Sequence, residues 1–391
     1  MDIHNLKVRY QRALARFKDS PVSTKNKDTI LRFHNFLLSE NIGYSKIERY
    51  FYDLIKLDKL LGKEFESANE EDIRRIISEI NQTDLSEHTK RGFKLIVRRF
   101  YRFVRGCNKD DPHPPEVKWM SLKMGHKHSK LPEELLTEDE FVSIIKHCET
   151  IRDKALISTI AESGARVGEI GTMQIKHVTF EKYGARITIS GKTGMRKILV
   201  VSSAPLLQTW INEHPKNDNP NACLWYNPQG EFLCYNRITA ILKLAAKRAG
   251  INKRIRPHLL RHSRATQLAS IMSEASMKQY LGWVQGSSMA AIYVHMSGKD
   301  TDKAVLLANG ITIEKESKES SFAPINCVRC EAINPPINRF CKQCGLVLER
   351  EEANEILKKD IKQDEMNTLM TRILKDPEVW ALVNSKMSVF V

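Results

Sequence analysis

The sequence predicts a mainly α-helical protein with a small β-sheet and more than one domain. Apolar side chains recur at helical spacing through residues 26–106, and no strand-like alternation precedes residue 130. Alternation with a period of two occurs over residues 185–201, around a glycine-flanked turn at 191–194, and predicts a β-hairpin. The length of 391 residues corresponds to two or three domains at roughly 150 residues each.

Breaks in composition divide the chain into segments. Pro112, Pro114 and Pro115 interrupt the helical pattern, because closely spaced prolines cannot continue a helix. The polar sequence TIEKESKESSFAP is poor in apolar residues and predicts a flexible linker. The predicted segments are a helical domain over 1–110, a basic linker over 111–131, a mixed α/β domain over 132–311, a second linker over 312–324, a cysteine module over 325–349 and a helical tail over 350–391.

Four helices are predicted in the first segment. One spans residues 26–40, and N-terminal capping residues indicate where the other three begin. Ser45 with Glu48 matches a capping box ahead of the second helix, while Asn69 and Ser86 precede the third and the fourth.

The fourth predicted helix carries charges of one sign. Residues 89–109 contain eight basic residues and no acidic one. Solvated helices usually mix signs and gain ion pairs between neighbouring turns, so a basic face is typical of contact with a phosphate backbone. A merely solvated face is the alternative. The predicted DNA-binding residues, which repeat at every fourth position, are Lys90, Lys94, Arg98 and Arg102.

The overall charge agrees with a polyanionic partner. Lysine and arginine number 62 against 47 aspartate and glutamate, a formal net charge of +15. Such a balance favours nucleic acid as the partner, although a basic protein without one is the alternative. No run approaches the roughly 20 apolar residues that span a bilayer, and the N-terminal residues lack an apolar signal segment. We therefore expect a cytoplasmic, DNA-associated protein and no membrane partner.

A second basic stretch contains a possible phosphate-binding pair. Residues 232–273 hold nine basic residues and no acidic one, and include the sequence Pro-His-Leu-Leu-Arg-His over 257–262. His258 and Arg261 are three positions apart and share a helical face, where together they can bind a phosphate and transfer a proton. This spacing alone also fits a purely structural helix.

The motifs before and after this pair favour a functional role for it. Arg166 follows the small-residue turn Ser-Gly-Ala, and Leu-Gly-Trp at 281–283 is followed by Tyr293. With the hairpin lysine and the His-x-x-Arg pair, this order closely resembles the tyrosine recombinases, the phage-type integrases, over about residues 135–300. The resemblance implies a helical core-binding domain followed by a mixed α/β catalytic domain. Residues 1–110 match that pattern only in size, helical character and charge.

The resemblance implies how the phosphate would be bound and attacked. Arg166 and Arg261 would bind the non-bridging oxygens of the scissile phosphate, for which planar guanidinium groups are suited. Their charge would stabilise the pentacoordinate transition state. Tyr293 would attack the phosphorus and form a 3′-phosphotyrosine.

Three further roles follow from the resemblance. Lys192 would protonate the leaving 5′ oxygen, with Arg196 and Lys197 on the same hairpin as alternatives. His258 would assist proton transfer. Trp283 would donate its indole N–H to the phosphate; histidine is commoner at this position of the family, and tryptophan is neither acid nor base. The interval from Trp283 to the tyrosine is also one residue longer than the usual pattern.

Two Cys-x-x-Cys pairs lie in the predicted cysteine module, ten residues apart. This spacing is typical of a tetrahedral zinc site with four thiolate ligands, which leaves no open position for catalysis. Two disulfides are the alternative, but they fit poorly with a chain that shows no secretory signal. A structural Zn²⁺ is therefore predicted at Cys327, Cys330, Cys341 and Cys344. Among integrases, those of archaeal genomes and their viruses are most similar in carrying an appended zinc ribbon.

The function that the resemblance implies is site-specific DNA recombination or integration. Double-stranded DNA recombination sites would be the substrate, a homotetramer on DNA the active assembly, and neither ATP nor a catalytic metal would be needed. The alternatives are DNA relaxation of the type IB topoisomerase kind and a non-catalytic DNA-binding protein of the same fold. The helical tail, with balanced charges, is expected to contact a neighbouring protomer.

Overall fold

The computed structural model describes residues 2–123, 134–191, 193–294 and 320–375, together with positions 305, 306, 309, 377, 379, 380 and 383. These residues form two compact units, one within 2–123 and the other from 134 onward. Helices dominate both units and the sheets are small, which confirms the predicted fold class. No helix in the described ranges is long and apolar enough to cross a membrane.

The first unit is a helical bundle with an aromatic core. Rings of Phe33, Phe65 and Phe100 meet edge to face inside it, and all three side chains are buried. Such burial is the main source of stability for amphipathic helices of this length. The helices are α1 (Leu6–Lys18), α2 (Thr24–Ser39), α3 (Tyr44–Leu61), α4 (Glu70–Gln82), α5 (Glu87–Val104) and the short α6 (Pro115–Lys118).

The helix starts in this unit test the capping predictions. Asn69 caps α4 in a capping box and Ser86 caps α5, both as predicted. The prediction for Ser45 is wrong: α3 begins at Tyr44, two residues earlier than predicted, and its N-cap residue Gly43 has no side chain to cap the helix. Helix α1 was not predicted, because its apolar face is narrow and buries only Ala13 and Phe17.

The second unit combines helices with a three-stranded antiparallel sheet in the order β1-β2-β3. The predicted hairpin is confirmed as β2 and β3, which pair as far as Gly191 opposite Gly194. The additional strand β1 has only four residues and little burial, so its sequence carries no clear alternation. The elements are α7 (Glu138–Lys146), α8 (Ile151–Ser163), α9 (Val167–Gly171), β1 (Val178–Glu181), β2 (Gly184–Gly191), β3 (Gly194–Val200), α10 (Ala204–Asn212), α11 (Tyr235–Arg248), α12 (Pro257–Ala269), α13 (Glu274–Leu281) and α14 (Met289–Val294).

The same unit includes the cysteine module and the helix after it. Strands β4 (Ile325–Asn326) and β5 (Ile333–Asn334) pair antiparallel, and α15 spans Arg350–Leu374. Ala353 at the start of α15 is buried in the small core around the cysteines. Just before β4, the ring of Phe322 packs on Phe141 of α7. The segment before the module therefore packs on α7, and the start of α15 packs on the module itself.

Candidate active site and cysteine cluster

Arg261 is at the centre of the candidate site. Pro257 begins α12, and Arg261 follows one turn later with only 6% of its surface exposed. Its two terminal nitrogens donate to the carbonyl oxygens of Gly164 and Leu281, each at 2.8 Å. Burial, and then the nearby charge of Arg166, lower the pKa of this guanidinium to about 10, so it remains protonated at neutral pH. The helix thus presents a fixed positive charge.

Arg166 lies beside Arg261 at the start of α9. It donates from Nη1 to Glu169 Oε1 at 3.0 Å and makes long contacts of 3.4 and 3.5 Å with the carbonyl oxygen of Gly282. About a third of its side chain, 35%, is exposed, whereas Glu169 is buried. Arg166 is therefore the more accessible of the two predicted phosphate-binding arginines.

The hairpin supplies a third guanidinium to this cluster. Arg196 on β3 faces the protein interior with Ile198, and it donates to both carboxylate oxygens of Glu169 at 3.1 and 2.7 Å. Because this guanidinium is bound to Glu169, it is not available to approach the leaving group as an acid. Lys197 points to the opposite, exposed side of the strand. Lys192 lies outside the described residues, so its position stays a prediction.

Tyr293 is buried on α14, with 4% of its surface exposed. Its ring stacks on Trp283, with 5.5 Å between the ring centroids and 7° between the planes. Its hydroxyl shares a hydrogen bond with Nδ1 of His262. Burial raises the pKa of this phenol, and the charge of Arg261 opposes that rise. The predicted nucleophile thus lies beside a side chain that can accept its proton.

The remaining predicted residues border this cluster. His258 is exposed on the first turn of α12, and its ring lies 6.5 Å from that of His262. Trp283 lies 5.5 Å from the Arg261 guanidinium, in the range of a cation–π contact. The structure therefore brings Arg166, Arg261, Trp283 and Tyr293 together, with His258 at the edge.

Two residues of the site were not given a catalytic role by the sequence motifs. His262 directly follows Arg261 in the sequence, and a histidine next to a phosphate-binding arginine on a helix is usually structural. Arg196 was considered only as an alternative to Lys192. The alternation of β3 could have indicated that Arg196 faces inward, but its partner Glu169 is 27 positions away in the chain.

The predicted DNA-binding residues of α5 have mostly internal partners. Arg102 donates from Nη1 to the carbonyl oxygen of Asp111 at 2.7 Å, and Arg98 donates to that of Met120. Lys90 donates to the carbonyl oxygen of Asn81 at 2.9 Å. Among the residues that the structure describes, Lys94 has neither a hydrogen-bond nor an ion-pair partner. Lys94 is therefore the member of this set whose charge is most available for a ligand.

The four cysteines of the module form one cluster. Their sulfur atoms all lie within 4.8 Å of one another, with 3.5 Å between Cys327 and Cys344 and 3.6 Å between Cys330 and Cys341. These separations are too long for disulfides, whose sulfurs are about 2.05 Å apart. They are close to the S–S distance of about 3.8 Å that a tetrahedral zinc with Zn–S bonds of about 2.3 Å requires. The cluster is compatible with a metal site.

Comparison with known proteins agrees with this geometry. Residues 134–299 match the model of the phage integrase family. The tyrosine recombinase XerD of Rickettsia bellii is 24% identical over 301 residues, covering 71% of this chain and 97% of the relative. A crystal structure of the XerH recombinase in a post-cleavage complex with a palindromic difH substrate matches with a TM-score of 0.56 and 21% identity, over 79% of this chain and 97% of that one.

A second solved structure shows the same fold. It is described as a lambda integrase tetramer bound to a Holliday junction, and it matches with a TM-score of 0.54 and 14% identity over 72% of this chain and 80% of that one. Residues 134–299 therefore form a domain of the phage integrase family. Over most of its length the chain is similar to tyrosine recombinases, and these similarities support site-specific recombinase function.

Proposed function

We propose that this chain is a catalytically competent site-specific recombinase that cuts and rejoins duplex DNA. The observation that supports this most directly is the convergence of Arg166 and Arg261 beside the paired side chains of Tyr293 and His262. Two guanidiniums next to a buried phenol suit the binding and attack of a phosphodiester, because they neutralise charge that develops on the non-bridging oxygens.

The reaction conserves the number of phosphodiester bonds. The Tyr293 oxygen forms a bond to the scissile phosphorus while the bond from phosphorus to the 5′ oxygen breaks. The phenol proton passes to a base, for which His262 is within hydrogen-bonding reach, and the 5′ oxygen takes up a proton from Lys192 or His258. Attack by a 5′ hydroxyl on the phosphotyrosine reverses these changes. Because no bond energy is lost, the cycle needs no ATP.

The assembly that we propose is a homotetramer on two DNA sites. The lambda integrase structure, described as a tetramer on a Holliday junction, supports this arrangement for a chain of the same fold. The net charge of +15 favours association with a polyanion. Lys94 and its neighbours on α5 are the proposed backbone contacts of the first unit.

We further propose that the cysteine cluster binds a structural Zn²⁺. Four thiolates at tetrahedral separations would fill the coordination sphere, so the metal would hold the module together and take no part in cleavage. The amide of Gln343 and the side chain of Asn334 already donate to Cys341 Sγ, as expected around a thiolate. The apolar surface of α15 beyond the module, which includes Leu369 and Ile373, is the proposed contact with a neighbouring protomer.

Covalent trapping tests the proposed function. Wild-type protein is incubated with a library of nicked duplexes that carry a randomised region, and the DNA that stays bound in denaturing gels is sequenced to give the site. Nicked duplexes of the recovered site should then give an adduct with wild type and none with Tyr293→Phe. The DNA affinity of the variant should be unchanged, because only one hydroxyl is lost.

Tyr280→Phe is the matched control, since this half-buried tyrosine lies close by but its hydroxyl, which donates to the Leu199 carbonyl oxygen at 3.5 Å, is not paired with His262. An adduct that persists in Tyr293→Phe would refute the assignment of the nucleophile. If the wild-type protein forms a covalent adduct with no sequence of the library, the chain is a DNA-binding protein without cleavage activity. Relaxation of a plasmid that lacks the recovered site would instead indicate a topoisomerase-like activity.

A further inference from the structure

Arg196 lies inside the cluster of candidate active-site residues, although the sequence analysis considered it only as an alternative to Lys192. Only 12% of its side chain is exposed, and Nε donates to the carbonyl oxygen of Tyr280 at 3.0 Å. The two terminal nitrogens bind the two oxygens of Glu169. Bidentate binding of this kind is both strong and directional, so the guanidinium is fixed in place.

The carboxylate of Glu169 is shared unequally between two arginines. Arg166 donates one side-chain hydrogen bond to it and Arg196 donates two. Burial alone would raise the pKa of this carboxyl, but the hydrogen bond and charge of Arg196, followed by those of Arg166, lower it. Two guanidiniums on one carboxylate leave a net charge of +1, and this charge is presented to solvent through Arg166, which is the more exposed of the two.

The same side chain joins three parts of the site. Arg196 belongs to the hairpin that carries Lys192, and its partner Glu169 belongs to the helix that follows Arg166. It also packs against the turn before Trp283: a Cβ placed on Gly282 would be 2.5 Å from Arg196 Nη1. The backbone at Gly282 has a φ of 65°, which also favours glycine. A side chain at position 282 would therefore both strain the turn and press on the arginine.

We propose that Arg196 is a positioning residue for DNA cleavage. It balances the charge of Glu169, so that Arg166 keeps its positive charge for the scissile phosphate, and it fixes the hairpin and the Trp283 turn against Arg166. This inference rests on the proposed function. Without Arg196, Glu169 would pair one-to-one with Arg166, and the net charge of the group would fall from +1 to zero.

A substrate without the phosphate charge separates this role from a purely structural one. Arg196→Met is compared with wild type in single-turnover cleavage of two nicked duplexes of the recovered site. One has the natural phosphodiester at the scissile position, and the other has a methylphosphonate, which lacks the negative charge. The variant should cleave the phosphodiester about tenfold to a hundredfold more slowly, since loss of one stabilising donor costs 10²–10³ and Arg196 acts indirectly.

On the methylphosphonate, Arg196→Met and wild type should cleave at similar rates, because that substrate needs less positive charge. Arg166→Ala should show the same dependence on the substrate. Arg186→Met is the matched control: Arg186 lies on the neighbouring strand β2 in an exposed ion pair with Glu181, and its loss should affect neither substrate. Arg196→Lys, which keeps the charge, should recover part of the phosphodiester activity.

A double substitution tests the electrostatic part directly. Glu169→Gln removes the charge that Arg196 balances, so Arg196→Met with Glu169→Gln should cleave the phosphodiester faster than Arg196→Met alone. Equal losses on both substrates, or wild-type activity of Arg196→Met, would overturn the inference. If wild-type protein cleaves neither duplex, the proposed function fails and the inference fails with it.

Discussion

Groups of like charge converge in two regions of this molecule, and the two regions differ in how the repulsion is relieved. At the candidate active site, Arg166 and Arg196 share the buried carboxylate of Glu169, while Arg261 donates to two backbone carbonyl oxygens. In the cysteine cluster, four sulfur atoms lie within 4.8 Å of one another, and no described hydrogen bond joins them to a lysine or arginine side chain. The arginine cluster therefore contains a carboxylate of its own, whereas the proposed Zn²⁺ would supply the counter-charge for the thiolates.

This difference predicts opposite responses to loss of the ligand. The arginine site should be formed before DNA binds, because its hydrogen bonds are already made within the protein. The cysteine module has a very small core and should depend on zinc for folding. Three measurements test this difference between the two clusters.

The largest effect is expected in the cysteine module. Cys341→Ser removes a ligand that is buried in the cluster, and metal binding supplies about 10–16 kcal/mol of folding free energy in comparable zinc modules. The variant should lose its stoichiometric zinc, as measured by metal analysis, and the thermal transition of the module. Cleavage of a half-site should persist, because the catalytic cluster is stabilised independently.

Cys107→Ser is the control for this experiment, since Cys107 is outside the cluster. Zinc that remains bound to Cys341→Ser would show that the four thiols are not the site. Cleavage lost together with the metal would show that the module also supports the active site.

A smaller effect is expected from Arg261→Lys at the active site. Lysine keeps the charge, but it lacks the planar guanidinium whose two terminal nitrogens donate to the carbonyl oxygens of Gly164 and Leu281. Single-turnover cleavage should fall by about 10²–10³-fold. Arg264→Lys, one turn away and bonded to the Glu162 carbonyl, is the control and should retain cleavage. Near-normal cleavage by Arg261→Lys would mean that charge alone suffices and that the preformed geometry is unimportant.

The smallest effect concerns α5, where arginines again bind carbonyl oxygens but on the surface of the first unit. Lys94→Ala should lower the magnitude of the salt dependence of DNA binding by about one phosphate contact, near 0.9 in log K against log salt, without changing stability. Arg102→Ala should instead lower the free energy of unfolding by about 1–2 kcal/mol, because it holds the segment at Asp111. Titration of DNA at several salt concentrations and urea unfolding separate these outcomes; identical effects of the two variants would contradict the distinction.

The sequence was sufficient to predict the order of the candidate catalytic residues along the chain. It was not sufficient to predict the contacts that their side chains make with neighbouring residues. Arg166, Arg261 and Tyr293 stand in motifs whose order is itself informative. The contact of Arg196 with Glu169 depends on which face of β3 meets α9, and this is decided by packing between elements distant in the chain. The basic repeat of α5 shows the converse. Its regular spacing is visible in the sequence, but the carbonyl groups that bind Arg98 and Arg102 belong to Met120, beyond α6, and to Asp111, in the loop after α5.

The contact between Gly282 and Arg196 also has an evolutionary consequence. Any side chain at position 282 would meet the guanidinium and would also strain a backbone with a φ of 65°. The neighbouring position tolerates either histidine or tryptophan in this family, so chemistry can vary there while the shape of the turn cannot. A lineage that replaced Arg196 by a smaller residue would remove the steric part of this restriction. A side chain at position 282 should therefore occur only where position 196 carries a smaller residue than arginine.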